Sequence, residues 1–129
     1  MADNIISIAT DNAPAPAGHY AQATGWRDLV FASGQLGVRS NGDHTTGERF
    51  EVQARQALGN LLAVLAAADC GPEQVLRVTA YIVGVENWPA FNRVYAEMMG
   101  DARPARTVVP VPELHHGYLV EVDAIAARR

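Results

Sequence analysis

The chain has no lysine. All ten of its basic residues are arginine, set against fourteen acids, for a formal charge of −4 and a pI near 5.4. A surface that binds polyanions needs clustered basic side chains, so a nucleic-acid partner is not expected. One cysteine, Cys70, excludes an internal disulfide and suits a reducing compartment. No run approaches the roughly 18 apolar residues of a membrane span. The first residues, Met1-Ala2-Asp3-Asn4, have neither the basic start nor the apolar core of a secretory leader. A cytoplasmic chain without membrane attachment is the expectation. Glycine-rich phosphate loops and Cys/His zinc spacings are both missing, so no metal is expected.

The composition that remains is globular, with 49% hydrophobic and 19% charged residues. The length suits one domain over residues 1–129 with a substantial core. Two prolines and a glycine keep residues 10–19 irregular. Strand-like runs follow at Tyr20–Thr24 and Leu29–Ser33, joined at Gly25-Trp26-Arg27-Asp28. Phe50, Ala54, Ala57, Leu58, Leu61, Leu62, Leu65 and Ala68 recur at helical spacing. Thr45 and Glu48 have the spacing of a capping box before that helix, and Gly71-Pro72 is a stop signal after it. The run Val75–Val83 alternates: Leu76, Val78, Ala80 and Ile82 share one face, and Arg77, Thr79 and Tyr81 share the other. A second helix spans about Asn87 to Met99, and two strand-like segments, Arg103–Val111 and Tyr118–Ala126, close the chain. The order β-β-α-β-α-β-β, with two amphipathic helices, predicts an α+β domain with both helices on one face of the sheet. The other face mixes apolar and polar side chains, which points to subunit packing.

Arg106 is a guanidinium in strand-like, apolar sequence, costly to bury unless it meets a carboxylate or a ligand. Glu121 and Asp123 lie two apart on the last strand and so share a face, about 7 Å apart. From spacing alone Arg106 has two fates, an internal ion pair with one of these acids or a grip on a ligand carboxylate. Asn92 falls on the apolar stripe of the second helix as a buried amide in need of partners. Tyr20 reads as core material, and Gly34, after Ser33, allows close approach of a backbone or ligand. His115 and His116 are adjacent and in an extended segment point to opposite sides. Cys70 reads as a small buried residue.

Several motifs recur in order: Asn12-Ala13-Pro14, Gly18-x-Tyr20-x-Gln22-Ala23, Phe31-Ala32-Ser33-Gly34-Gln35, Gln53-Ala54-Arg55-Gln56, Phe91-Asn92-x-Val94-Tyr95, Arg103-Pro104-Ala105-Arg106-Thr107 and Val120-Glu121-Val122-Asp123-Ala124-Ile125-Ala126. Over nearly the whole chain they resemble the RidA/YjgF family of enamine/imine deaminases. The resemblance implies a chorismate-mutase-like fold with two helices on a mixed sheet, and a homotrimeric barrel with clefts between subunits. It implies cofactor-free hydrolysis of 2-aminoacrylate-type enamines and imines to 2-oxo acids and ammonia. In that pattern Arg106 binds the substrate carboxylate and Glu121 holds the reacting water, with Tyr20, Ser33, Gly34 and Asn92 lining the cleft.

The sequence departs from the family pattern at His19, where proline is usual, at Val108, where cysteine is common, and over residues 113–118. His19, His116 and Tyr118 are therefore rim positions that bear on substrate choice, with a larger imine or an aminomuconate-like compound as alternatives to 2-aminoacrylate. The competing functions are a non-catalytic trimer that binds a carboxylate metabolite, and a ribonuclease or translation inhibitor.

Overall fold

The computed structural model describes residues 4–128. The first three residues, part of the stretch read above for a leader, and residue 129 lie outside it. Six strands form one mixed sheet in the order β1-β2-β3-β6-β4-β5. They are β1 (Ile6–Ile8), β2 (Ala23–Trp26), β3 (Leu29–Gln35), β4 (Val75–Val83), β5 (Ala105–Val111) and β6 (Val120–Ala127). Helix α1 (Phe50–Ala66) connects β3 to β4, and α2 (Trp88–Met99) connects β4 to β5. Only β4 and β5 pair in parallel, as a strand–helix–strand unit requires; every other pairing is antiparallel.

The elements follow the sequence pattern with three informative differences. Strand β1 was not expected: three residues are too few to show a period. Strand β2 starts at Ala23 rather than Tyr20 and runs through Trp26, so a two-residue turn, Arg27-Asp28, makes the hairpin. Tyr20 and Ala21 stay outside because the buried Gln22 amide binds the preceding irregular segment. It accepts from the Thr10 N–H at 2.7 Å and donates to the carbonyls of Thr10 and Pro14 at 3.1 and 2.9 Å. The expected capping box does not form. Thr45 Oγ1 donates to the Gly37 carbonyl at 2.7 Å instead, and Arg49 becomes the N-cap residue.

Both helices cover the same face of the sheet. Val30 and Ala32 of β3, Val78, Ala80 and Ile82 of β4, and Val120, Val122, Ala124 and Ala126 of β6 pack under Leu58, Leu61, Leu65, Phe91 and Val94. Leu76 is not part of that face. The register of β4 against β6 slips between Val75 and Arg77, which buries Val75 and leaves Leu76 49% exposed. The opposite face carries Phe31, Glu121, Asp123, Ile125, Arg77, Thr79, Tyr81, Thr107 and Val109, with no layer above it among the described residues.

Two amides on α1 tie this core to the loops. Asn60 donates to the carbonyls of Leu36 and Val38 at 3.0 and 2.7 Å. Gln53, fully buried, accepts from the Leu119 N–H at 2.9 Å and donates to the Glu48 carbonyl at 3.1 Å. Gln53→Leu keeps the volume but strips those groups of their partner. It should lower the unfolding free energy by about 2–4 kcal/mol in urea denaturation, with helical circular dichroism unchanged before the transition.

Candidate functional site

Ser33 and Gly34 are the point where the regular sheet breaks. Ala32 pairs with Ala124 and Gln35 pairs with Val122, so β3 uses one residue more than β6 over the same span. Such a bulge re-aims side chains locally. Ser33 Oγ donates to the Ala21 carbonyl at 2.7 Å, which fixes the bulge to the segment carrying Tyr20. A Cβ on Gly34 would lie 2.5 Å from Oε2 of Glu121. The missing side chain is what lets the Glu121 carboxylate fold down over the bulge.

Glu121 is half-buried, and among the described residues its carboxylate accepts no hydrogen bond. Burial pushes its carboxyl above the usual range, Asp123 adds to the rise, and His115 offsets part of it. Asp123 is also raised by burial, with Arg77 opposing. A carboxyl in that position holds and releases a proton closer to neutral pH than an ordinary glutamate.

A cavity of about 810 Å³ opens beside Glu121, between the Pro-rich segment and the loops that follow β3 and β5. Tyr20, Ser33, Gly34, His44, His115 and His116 line it. The two loops are fixed from below by Tyr118, which is 1% exposed. Its hydroxyl accepts from the Thr45 N–H at 3.2 Å and lies 2.8 Å from His44 Nδ1.

The expected site residues divide between two places. Tyr20, Ser33, Gly34, Glu121 and His116 come together at the cavity. Tyr20 is 52% exposed there and is not core material. Tyr118 is a buried strut below the rim and not a rim residue. His19 is exposed and does not line the cavity. His115 and His116 do not point apart. Their short 3-10 turn, with His116 at φ 60°, brings the ring centroids to 3.7 Å. His44, far from them in the sequence, joins them only through the tertiary fold, and no sequence pattern marks it.

Arg106 and Asn92 lie elsewhere. Arg106 pairs with Val78, which pairs with Ala124, so it sits on the helix side of the sheet at the β5 edge. Glu121 is three residues from Ala124 and therefore faces the other way, two strands distant. An ion pair between Arg106 and Glu121 or Asp123 of one chain is ruled out by that geometry. The exposed guanidinium instead stacks over Tyr95 at 4.9 Å and Phe91 at 5.8 Å, with no ion pair among the described residues. Asn92 is exposed on α2 and is not a buried amide, because Phe91, Val94 and Met99 form the helix's inward stripe. Among the described residues no three His, Cys, Asp or Glu side chains are grouped to hold a metal.

Two helices on one face of a mixed six-stranded sheet define a chorismate-mutase-like α+β protein. Residues 10–128 match the model of the endoribonuclease L-PSP family, and the chain belongs to that family, which includes the YjgF, RidA and RutC proteins. It is 38% identical to a RutC family protein of Pyrococcus horikoshii, covering 92% of this chain and 94% of that one. It is 35% identical to the goat 2-iminobutanoate/2-iminopropanoate deaminase, over 94% of this chain and 88% of the relative. The crystal structure of E. coli TdcF with bound serine superimposes with a TM-score of 0.91 at 29% identity, covering 96% and 99% of the two chains.

The raised Glu121 carboxyl has a consequence for stability. The folded chain holds this proton more tightly than the unfolded one, so stability falls as pH rises from the unfolded value, near 4.3, through the folded one. Glu121→Gln should raise the melting temperature at pH 7–8, and the gain should vanish below about pH 4. Thermal melts across that range check it.

Proposed function

We propose that this protein is a cofactor-independent hydrolase of small 2-imino acids, with each reacting cleft built from two copies of the chain. One observation carries the reading. A proton-holding carboxylate, Glu121, faces a cavity that no arginine among the described residues lines, while Arg106, without an ion pair among those residues, projects from the opposite side of the same sheet. A substrate carboxylate needs the second and a water needs the first, and one chain cannot supply both to one molecule. The uncovered sheet face, with Phe31 42% exposed beside Ile125, offers the surface on which further copies pack. A closed trimer, with three sheets lining a central barrel, brings Arg106 of one copy to the Glu121 cavity of the next. The goat relative's name supplies the reaction class, and serine bound to TdcF supplies the size of ligand.

In this reading Arg106 holds the substrate carboxylate through two parallel N–H donors, stiffened by its stack on Tyr95. Glu121 takes a proton from water as the oxygen attacks the C=N carbon, and passes it to the nitrogen to give the carbinolamine. Glu121 then takes the proton of the carbinolamine hydroxyl and delivers it to the nitrogen as the C–N bond breaks. Ammonia leaves and the 2-oxo acid remains. The ribonuclease activity in the family's description is not favoured, because neither the cavity nor the net charge of −4 offers a phosphate-binding surface.

The test supplies 2-iminopropanoate from a coupled amino-acid oxidase and follows its loss as the semicarbazone. Arg106→Ala and Glu121→Gln should each reduce kcat/KM by about 10²–10⁴-fold, and Arg106→Ala should leave the melting temperature within a degree or so. Unchanged rates in both variants would leave only a carboxylate-binding protein. Co-refolding the two inactive variants in equal amounts should restore about a quarter of wild-type activity, since one cleft in four then receives both groups. No recovery would place both residues' work within one chain.

A further inference from the structure

The unassigned chemistry of the cavity lies in the three imidazoles that line it. His116 lies between the other two: its ring centroid is 3.7 Å from that of His115 and 4.7 Å from that of His44. The rings are tilted stacks, at 40° and 52°, rather than three nitrogens aimed at one metal. His44 uses Nδ1 on the Tyr118 hydroxyl, which leaves Nε2 for a ligand. The ring nitrogens of His115 and His116 make no hydrogen bond among the described residues.

The cluster is built and not incidental. Tyr118 ties His44's loop to the loop of His115 and His116, and Gln53 fixes the latter through the Leu119 N–H. His116 is held in the left-handed region, which a side chain adopts only where its surroundings impose it. Among the described residues, Glu121 is the only charged side chain lining the cavity apart from these histidines, and Tyr20 is the other titratable one. We propose that His44, His115 and His116 form a subsite for a second carboxylate, so that the preferred substrate is a dicarboxylic imine. This rests on the reading above, in which the first carboxylate is held by Arg106 of a neighbouring copy.

His116 resists protonation: burial and the neighbouring imidazoles of His115 and His44 hold it below the usual histidine range. An incoming carboxylate removes that repulsion. Binding therefore takes up protons near neutral pH and weakens as pH rises, whereas Glu121, the facing acid, repels the anion more at high pH and acts in the same direction.

Isothermal titration of the intact protein with 2-oxoglutarate and 2-oxobutanoate, as dicarboxylic and monocarboxylic product mimics, tests this. At pH 6 the dicarboxylate should bind at least about tenfold tighter. The preference should shrink by pH 8, and the binding enthalpy at pH 7 should depend on the buffer in the sense of proton uptake. His115→Gln combined with His116→Asn, where asparagine tolerates the left-handed backbone, should bring the two affinities within about twofold. Equal affinities in the wild type, no binding of either acid, or a preference that survives the double variant would each overturn the subsite. Loss of imine turnover with the preference intact would instead remove the deaminase reading and keep the subsite.

Discussion

A strand has two sides, and in this sheet the helices occupy one of them along its central strands. That constraint decides where every functional group can go. Residues that alternate with Val78, Ala80, Val122 and Ala124 are pushed to the uncovered face, and Glu121 and Asp123 are among them. Arg106 is in phase with the buried positions, and only its place on the edge strand saves it from burial. A one-residue slip in β5 would move it to the same face as Glu121 and Asp123. The separation of the two groups is thus a matter of register, and it is the feature on which the proposed two-copy cleft rests.

The second organising device is a set of buried polar side chains that act as struts. Gln22 gathers the Pro-rich segment, Asn60 holds the end of β3, and Gln53, Thr45 and Tyr118 join the two loops that bear the histidines. Each strut meets backbone groups that would otherwise be short of partners, so its loss costs both its own bond and theirs. Loops held in this way can present side chains with the precision of regular structure. The cavity beside Glu121 depends on them, since its walls are almost entirely loop, and its floor is the bulge at Ser33 and Gly34.

Much of this was legible in the sequence. The period of α1 predicted its buried face, and the alternation of Val75–Val83 predicted a strand with two unlike sides. The misreadings have local causes. A bulge at Leu76 inverted one residue of that alternation, and the Gly37 carbonyl captured the hydroxyl expected to cap α1. Asn92 was placed on an inward stripe that Phe91 and Val94 already fill. For the site, the motif order brought Tyr20, Ser33, Gly34 and Glu121 to one reading, and the structure gathers those four at one cavity. The same motifs imply clefts between subunits, but no local pattern shows that Arg106 faces away from those four within the chain.

By itself, then, the sequence determined the local periods, the turns and the kinds of chemistry on offer: a guanidinium in an apolar strand, a pair of strand carboxylates and no lysine. Those properties are short-range, set by neighbours a few residues apart. Tertiary structure alone decided the strand order, the opposition of Arg106 and Glu121, and the meeting of His44 with His115 and His116. These depend on pairings between segments tens of residues apart, and such pairings are chosen by the packing of the whole sheet against its helices rather than by any local preference.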